Sequence, residues 1–357
     1  MTDTSTAPPA PPAPTAERLA GPVPGRRRGF RLPFRIDGQN VALLGLLVLL
    51  ALWFNTANGL FHSWANIMNI GDAIAVIGFM AAGQTLVILA GGLDISVGAV
   101  AAVSGVTAAV LMQHGWPVLL AVLGAVVVGL ALGGFNGFCV NVLHVNAVIT
   151  TLGTLQLFKG IAFFIEPGQK PVGVRNSAFQ KLGTGRLWRT SDFPGVPISF
   201  LFMLGVAAVV WVFLRSTDVG RNVYAVGGNE RAARLSGIGT RRVKFMLYAL
   251  SGALAAMGGL VIAARTGSAN AEIANQGYEL RAITAVFLGG ASTTGGRGTM
   301  GGTLLAVLLV GVLSNGMNLI GINQFWQFLA QGALLIAAVA VGEWRKTRDD
   351  ASARGAH

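Results

Sequence analysis

Charged residues and cysteine are scarce in this sequence. Only 11% of its 357 residues are charged, 53% are hydrophobic, and the mean hydropathy is +0.63. Soluble domains carry about a quarter charged residues, so this composition excludes an ordinary soluble protein. The single cysteine, Cys139, lies inside an apolar run, which excludes a disulfide framework or a cysteine-based metal site.

Enzyme signatures are also missing from the sequence. Its four histidines are scattered, and the motifs HExxH, GxSxG and GxxxxGK[ST] do not occur. We therefore expect no catalytic residue, no metal, no cofactor and no nucleotide bound by this chain itself.

Long apolar runs dominate what is present. A helix needs about 20 apolar residues to cross the hydrocarbon core of a bilayer, and the runs predict about ten such spans. The sequence therefore predicts an all-α polytopic membrane protein, which the Gly-, Pro- and Ser-rich loop 166–197 divides into two five-helix halves. The predicted spans are 41–57, 73–92, 95–113, 118–142, 147–165, 198–214, 243–264, 280–293, 301–320 and 325–342.

The net charge of +12 is concentrated beside the apolar runs. Six Lys and Arg residues lie in 1–40, seven in 215–244 and four from residue 343 onward. Basic clusters next to spans mark cytoplasmic loops. We therefore interpret the charge as membrane topology, with both termini cytoplasmic, and not as nucleic-acid binding.

These clusters suggest a division of the chain. We expect a disordered, Pro/Ala-rich cytoplasmic tail over 1–36 and no cleaved signal peptide. A transmembrane domain is expected over 37–345, with a cytoplasmic loop at 215–242, and a second cytoplasmic tail over 346–357.

Asp94 is the one formally charged residue between Ala73 and Phe158, in the stretch GGLDISVG. An ionised Asp at the centre of a membrane costs about 3 kcal/mol on insertion scales, so it needs a helix end, a wet cavity or a partner. The glycines favour a broken helix, which Asp94 and Ser96 could cap by accepting bonds from N–H groups near residues 97 and 98. Lining a permeation path and coupling protons are the alternatives.

A second polar stretch predicts a short helix between two spans. Asn229 can cap a helix from Glu230 to about Ser236, which Gly237 and Gly239 would end. Such a capped helix would form a rigid projection. Its small and apolar side chains suggest docking into a groove of a soluble partner: Ala232, Ala233 and Leu235.

Three motifs in order carry a family resemblance. They are GGLDISVG at 91–98, GGNERAARLSGI at 227–238 and the block beginning AITAVFLGGASTTGGRGTMGG at Ala282. Together they resemble the inner-membrane permease subunit of ribose/xylose/arabinose-type ABC importers, within the branched-chain amino acid/sugar permease superfamily. The resemblance covers about residues 40–342.

This resemblance implies a fold, a location and partners. The fold would be a vitamin-B12-importer-like (type II) permease in the bacterial inner membrane, and its substrate a monosaccharide such as ribose, xylose, arabinose or galactose. Its partners would be a second permease copy or close homologue, a cytoplasmic ATPase with two nucleotide-binding cassettes in one chain, an extracytoplasmic sugar-binding protein, and membrane lipid. The ATPase, not this chain, would hydrolyse ATP.

The resemblance also assigns residues. The ATPase would grip a coupling helix that includes Gly228, Asn229, Glu230, Arg231, Ala233, Arg234, Leu235 and Gly237. A signature near the substrate path would comprise Gly91, Gly92, Asp94, Ser96 and Gly98. Since neutral sugars call for hydroxyl and amide groups instead of paired charges, Asn136 and Asn146 are further candidates for this path.

Two other functions stay open on the sequence. The first is an ion-coupled secondary sugar transporter that uses Asp94. The second is an ABC permease for branched-chain amino acids, whose zwitterionic substrate would require charge complementarity. The spans offer few residues for that purpose: Asp94, Lys159, Glu279 and Arg281.

Overall fold

The structure is a computed structural model that describes residues 38–354, with side chains described as far as Trp344. The tail expected over 1–36 lies outside this range. The described residues form thirteen α-helices and four two-residue strands. The helices are α1 (Gly38–Ala57), α2 (Trp64–Leu89), α3 (Val97–Gln113), α4 (Val118–Asn141), α5 (Ala147–Ile165), α6 (Ser177–Thr184), α7 (Ile198–Ser216), α8 (Asp218–Gly228), α9 (Glu230–Leu235), α10 (Thr240–Thr266), α11 (Tyr278–Leu288), α12 (Met300–Leu319) and α13 (Gln324–Arg354).

Eight helices in the described part of the chain are long and apolar enough to cross a membrane. They are α1, α2, α4, α5, α7, α10, α12 and α13. The chain is thus an all-α, multi-pass membrane protein, as the sequence predicts. The other two predicted spans coincide with α3 and α11, which have only 17 and 11 residues. Helix α13 continues to Arg354, past the predicted end at 342, because the polar residues that follow are mostly good helix formers.

Helices α2 and α10 form the centre of the bundle. Helix α2 packs against α7, α10, α11 and α12, and almost all of its residues are buried. Helices α1 and α13 lie at the periphery, with most of their apolar side chains exposed. In a membrane protein, such exposed apolar surface is suited to lipid and not to water.

Glycines allow α4 and α10 to pack with their backbones in contact. A Cβ atom on Gly133 would lie 2.2 Å from the carbonyl oxygen of Tyr248, and one on Gly252 would lie 2.1 Å from the carbonyl oxygen of Gly129. Small residues at such a spacing let membrane helices approach closely, where van der Waals contacts hold them together. This crossing fixes α4 against α10 and so places their polar side chains side by side.

The loop 166–197 is more ordered than its sequence suggests. It has no helical periodicity, yet it contains α6, β1 (Val172–Gly173), β2 (Arg186–Leu187) and β3 (Val196–Pro197). Strand β1 pairs with β4 (Ser268–Ala269), and β2 pairs with β3. A capping side chain, Asn176, and pairing with a distant segment determine these short elements. Neither leaves a periodic pattern.

An ion pair joins this loop to the start of α2. Arg186 lies 3.0 Å from a carboxylate oxygen of Asp72, and the hydroxyl of Ser199 donates to the other oxygen at 3.1 Å. The beginning of α2, the loop 166–197 and the end of α10 therefore lie at one end of the bundle.

The other end of the bundle carries α8 and α9. The sequence predicted one short helix here, and the structure adds α8 before it. Thr217 caps α8 by accepting from the N–H of Gly220 at 2.9 Å, and α8 buries Val223 and Val226. The apolar positions of α8 are too few and too interspersed with glycine to stand out as a helix in the sequence.

Candidate functional site

The stretch Gly91–Gly98 forms a buried turn between α2 and α3. Gly91 has φ +76°, a left-handed conformation in which glycine carries no Cβ penalty. A Cβ atom on Gly92 would lie 2.8 Å from the phenolic oxygen of Tyr248, so only glycine lets α10 come this close. The glycines thus break the helix and admit a neighbouring helix at the break.

Asp94 lies at the centre of this turn and is 0% exposed. Its Oδ1 accepts from the N–H of Ser96 at 3.0 Å and from the Ser96 hydroxyl at 2.7 Å. Asn136 of α4 donates to the same oxygen at 3.3 Å, and Ser251 of α10 donates to Oδ2 at 3.4 Å. Neutral groups from three segments therefore surround the carboxylate.

The capping bonds differ from those predicted. Ser96 is the N-cap residue of α3, but its side chain makes no capping bond, and Asp94 accepts from Ser96 instead of Val97 or Gly98. The Ser96 hydroxyl is already engaged with Asp94 and accepts from Asn136 at 2.7 Å. Asp94 therefore closes a turn just before the helix, which agrees with a structural role for the carboxylate.

The backbone carbonyls of the turn are also hydrogen-bonded. The carbonyl of Leu93 accepts from the Tyr248 hydroxyl at 3.2 Å and from the Thr151 hydroxyl at 3.4 Å. The side-chain amide of Gln84 donates to the carbonyl of Asp94. Because unpaired backbone groups are costly inside a membrane, these bonds from α2, α5 and α10 stabilise the helix break.

Gly98 makes room for a second buried carboxylate. A Cβ atom on Gly98 would lie 2.3 Å from Oε2 of Glu279, at the start of α11. Glu279 is 8% exposed, and its Oε2 has no hydrogen-bond partner within the described residues. The signature glycine therefore fixes the position of α11 relative to α3, a contact that the sequence did not predict.

Asn146 does not join this cluster. It is exposed and caps α5, accepting from the N–H groups of Val148 at 2.9 Å and Ile149 at 3.3 Å. The structure thus brings Asp94, Ser96 and Asn136 together and leaves Asn146 apart. Tyr248 and Ser251 belong to the cluster but were missed, because nothing near them in the sequence marks α10 as its neighbour.

The short helix α9 has the boundaries that the sequence predicts. Asn229 caps it by accepting from the N–H of Ala232 at 2.9 Å, and Gly237 follows it with φ +84°. The Ala233 side chain is buried, whereas Leu235 is 83% exposed. An exposed leucine beside the exposed residues Arg231 and Arg234 makes this helix suited to a partner surface.

Glu230 anchors α9 to α10. Its carboxylate lies 2.5 Å from Lys244 Nζ and 3.1 Å from Arg234. Partial burial alone would raise the pKa of Glu230, but the hydrogen bond and charge of Lys244, helped by Arg234, outweigh it and hold the pKa below its ordinary value of 4.5. The anchor is therefore charged at neutral pH.

A glycine junction, defined here as Gly91, Gly227, Gly295 and Gly296, connects α9 to the Asp94 turn. Gly227 stands at the end of α8, two residues before the α9 cap, and a Cβ atom on it would lie 1.8 Å from the carbonyl oxygen of Leu89. That carbonyl accepts from the N–H of Gly296 at 2.9 Å. Gly295 also lies close to the backbone of Gly91: a Cβ atom on Gly295 would lie 2.7 Å from the backbone nitrogen of Gly91.

The same junction includes the link between α11 and α12. Tyr224 of α8 donates to the carbonyl of Gly298 at 3.2 Å. The end of α2, the end of α8 and the α11–α12 link are thus in backbone contact a few residues from Asp94.

The bundle of apolar helices, its polar turn and its exposed capped helix define a membrane transport subunit. A family model described as "Branched-chain amino acid transport system / permease component" matches residues 66–339. The chain belongs to this family of permeases.

Similar proteins are named as sugar permeases. The ribose import permease protein of Bacillus subtilis (strain 168) is 39% identical over 297 residues, covering 83% of this chain and 90% of that protein. The ribose import permease protein of Escherichia coli (strain K12) is 38% identical over 304 residues, covering 85% and 93%. The L-arabinose transport system permease protein of Escherichia coli (strain K12) is 34% identical over 286 residues, covering 80% and 85%.

No solved structure matches this chain significantly. The implied likeness to vitamin B12 importers therefore stays a prediction.

Proposed function

We propose that the protein is the permease subunit of an ATP-driven ABC importer that moves a monosaccharide across the bacterial inner membrane. Relatives that import ribose and arabinose align with more than three quarters of the chain. The observation that carries the proposal is the joining of an exposed, capped helix to the buried Asp94 turn through the glycine junction. A permease that is driven by a separate ATPase subunit requires a connection between the ATPase-binding surface and the substrate path.

Helix α9 is the proposed coupling helix. A cytoplasmic ATPase subunit with two nucleotide-binding cassettes would grip its exposed face, including Arg231, Arg234 and Leu235. Closure of the cassettes on ATP would move α9, and the ion pair between Glu230 and Lys244 would transmit the movement to α10. Gly228 precedes this projecting helix and Gly237 follows it.

The remaining partners follow from the two ends of the bundle. If α9 faces the cytoplasm, the loop 166–197 faces outward, where a sugar-binding protein would deliver the substrate. Both termini would then be cytoplasmic. A second copy of the permease or a close homologue would complete the path, with lipid against the exposed apolar helices.

Reconstitution tests the proposal. Vesicles containing the permease, the ATPase and the binding protein should accumulate ribose, xylose, arabinose or galactose with ATP, and vesicles with the permease alone should accumulate none. Leu235→Glu should lower ATP-driven uptake at least about tenfold, and it should lower the amount of ATPase subunit that stays bound to the permease by a similar factor. The reason is that the variant buries a charge in an apolar contact. Leu235→Met, which keeps the contact apolar, is the matched control. Accumulation by the permease alone would refute the proposal.

A further inference from the structure

A polar cavity opens at the end of the bundle opposite α9. Its volume is about 570 Å³, within the range of about 300–1,000 Å³ that small-molecule sites occupy. The starts of α2, α11 and α13 surround it, together with the ends of α10 and α12. Most of the residues that line it are polar, in contrast to the apolar surface of the bundle. Its position is where a substrate would enter from the loop end.

Two arginines supply hydrogen-bond donors to this cavity. Arg281 is held in place because its Nε donates to Gln331 at 3.1 Å and its guanidinium lies 5.3 Å from the centre of the Tyr278 ring. Arg265 lines the cavity from the end of α10. Neither guanidinium forms an ion pair with any side chain in residues 38–344. Arg281 Nε is already engaged with Gln331, and the remaining N–H groups of the two guanidinium groups are therefore available to a ligand.

Asn315 supplies an acceptor. Its Oδ1 is buried and has no hydrogen-bond partner among the described side chains and backbone. The side chain lines the cavity beside Ser314. A buried polar atom without a partner costs about 1–3 kcal/mol, so a rotation of this side chain that lets Oδ1 accept from a ligand hydroxyl in the cavity would remove that cost.

We propose that this cavity is a binding site for a neutral, polyhydroxylated ligand. Hydroxyl groups both donate and accept, which matches Asn315 on one side and Arg265 and Arg281 on the other. Tyr278 also lines the cavity, and the Arg281 guanidinium lies over its ring. The inference rests on the proposed function and adds to it: the permease itself contacts the sugar, and Tyr278, Arg281 and Asn315 contribute to its selectivity.

A single-thiol experiment tests the site directly. The full-length permease with Cys139→Ser and Ser314→Cys, reconstituted in vesicles, carries one thiol, and that thiol lies at the cavity. Ribose, xylose, arabinose or galactose should slow its reaction with a maleimide reagent, and adding Asn315→Leu should weaken that protection about tenfold. A thiol at Ser191→Cys, in the exposed loop, is the matched control and should react at the same rate with or without sugar.

Three outcomes would overturn the inference. They are protection by none of the four sugars, protection by ribose 5-phosphate without protection by any neutral sugar, and equal protection with and without Asn315→Leu.

Uptake by the complete importer separates this inference from the proposed function. Tyr278→Ala and Asn315→Leu should each change the relative rates at which the four sugars are imported. If ATP-driven uptake and its sugar preference are unchanged in both variants, the cavity inference fails while the proposed function stands. If the unmodified importer shows no ATP-driven sugar uptake, the proposed function itself fails.

Discussion

Asp94 is held by neutral hydrogen-bond donors, not by a cation. Its four side-chain and backbone bonds come from Ser96, Asn136 and Ser251. An amide can make most of these bonds, because a serine hydroxyl accepts as well as donates. The site therefore requires a polar group of this size more than it requires a charge.

Asp94→Asn should keep the fold and retain measurable uptake, whereas Asp94→Leu should leave several buried donors unpaired and destabilise the protein by about 3 kcal/mol or more. Thermal unfolding of the purified protein and sugar uptake measure the two effects. If the stable Asn variant is inactive and wild-type uptake depends on pH, an ion-coupled mechanism at Asp94 becomes the better explanation.

The Glu230 anchor predicts a dependence on pH. Because its pKa is held below the ordinary 4.5, the anchor contributes its stability above that pH and loses it as the pH falls through the lowered pKa. The half-exposed pair is worth at most about 1 kcal/mol. Hydrogen exchange in α9 should be faster in Glu230→Gln than in the wild type at pH 7, and the difference should shrink below pH 4.5. A difference that persists in acid would contradict this assignment.

Individual site residues were predictable where the signal in the sequence is local. A lone carboxylate among glycines marked Asp94, and an asparagine before a short helix marked Asn229. Tyr248 and Ser251, which lie about 150 residues away along the chain, were not predictable. Their place in the cluster depends on the glycine crossing of α4 and α10, and one sequence does not reveal which helices cross.

At the level of elements, the glycine junction is a contact between segments that leaves little space for side chains. Three of its glycines have positive φ, and Gly227 faces a carbonyl oxygen with no space for a side chain. A glycine pair follows both α2 and α11. Both pairs end a helix, and the links that follow them meet.

Neighbouring glycines at the end of α8 provide a matched test of the junction. Gly227→Ala should push the Leu89 carbonyl aside and cost about 1–3 kcal/mol or more, with a loss of uptake. Gly228→Ala should leave the thermal stability nearly unchanged, since a Cβ there meets no atom within 4 Å. Thermal unfolding and ATP-driven uptake of the two variants provide the comparison. Equal effects at both positions would mean that the close contact is not important.

Elements were predictable in proportion to their length and apolarity. The long spans and α9 were predicted. Helix α9 was predictable because its cap, Asn229, and the glycines that follow it, Gly237 and Gly239, are recognisable in the sequence. Helix α8 and the strands of the loop 166–197 were missed. They are short, and their stability comes from tertiary contacts such as β1 with β4, not from local propensity.

At the level of the whole molecule, the helices alternate in direction, so α9 and the loop 166–197 lie at opposite ends. The fold class was predictable because hydrocarbon forces every spanning segment to satisfy its own backbone, which leaves apolar helices as the main solution. The packing order was not predictable, since apolar helices look alike until their contacts are known.

The orientation can be tested by labelling. In a Cys139→Ser background, a membrane-impermeant maleimide should label Ser191→Cys in spheroplasts and Ser236→Cys only after permeabilisation. The excess of basic residues near α9 is the physical reason, because such clusters remain on the cytoplasmic side. The reverse labelling pattern would place α9 on the outer side of the membrane and would rule out its binding to a cytoplasmic ATPase subunit.

Almost the whole of α2 is buried inside the bundle. Protein atoms enclose this helix almost entirely, so Gln84 and Thr85 can occupy it without facing acyl chains. A thicker or thinner bilayer would strain the outer helices first and leave this innermost column undisturbed.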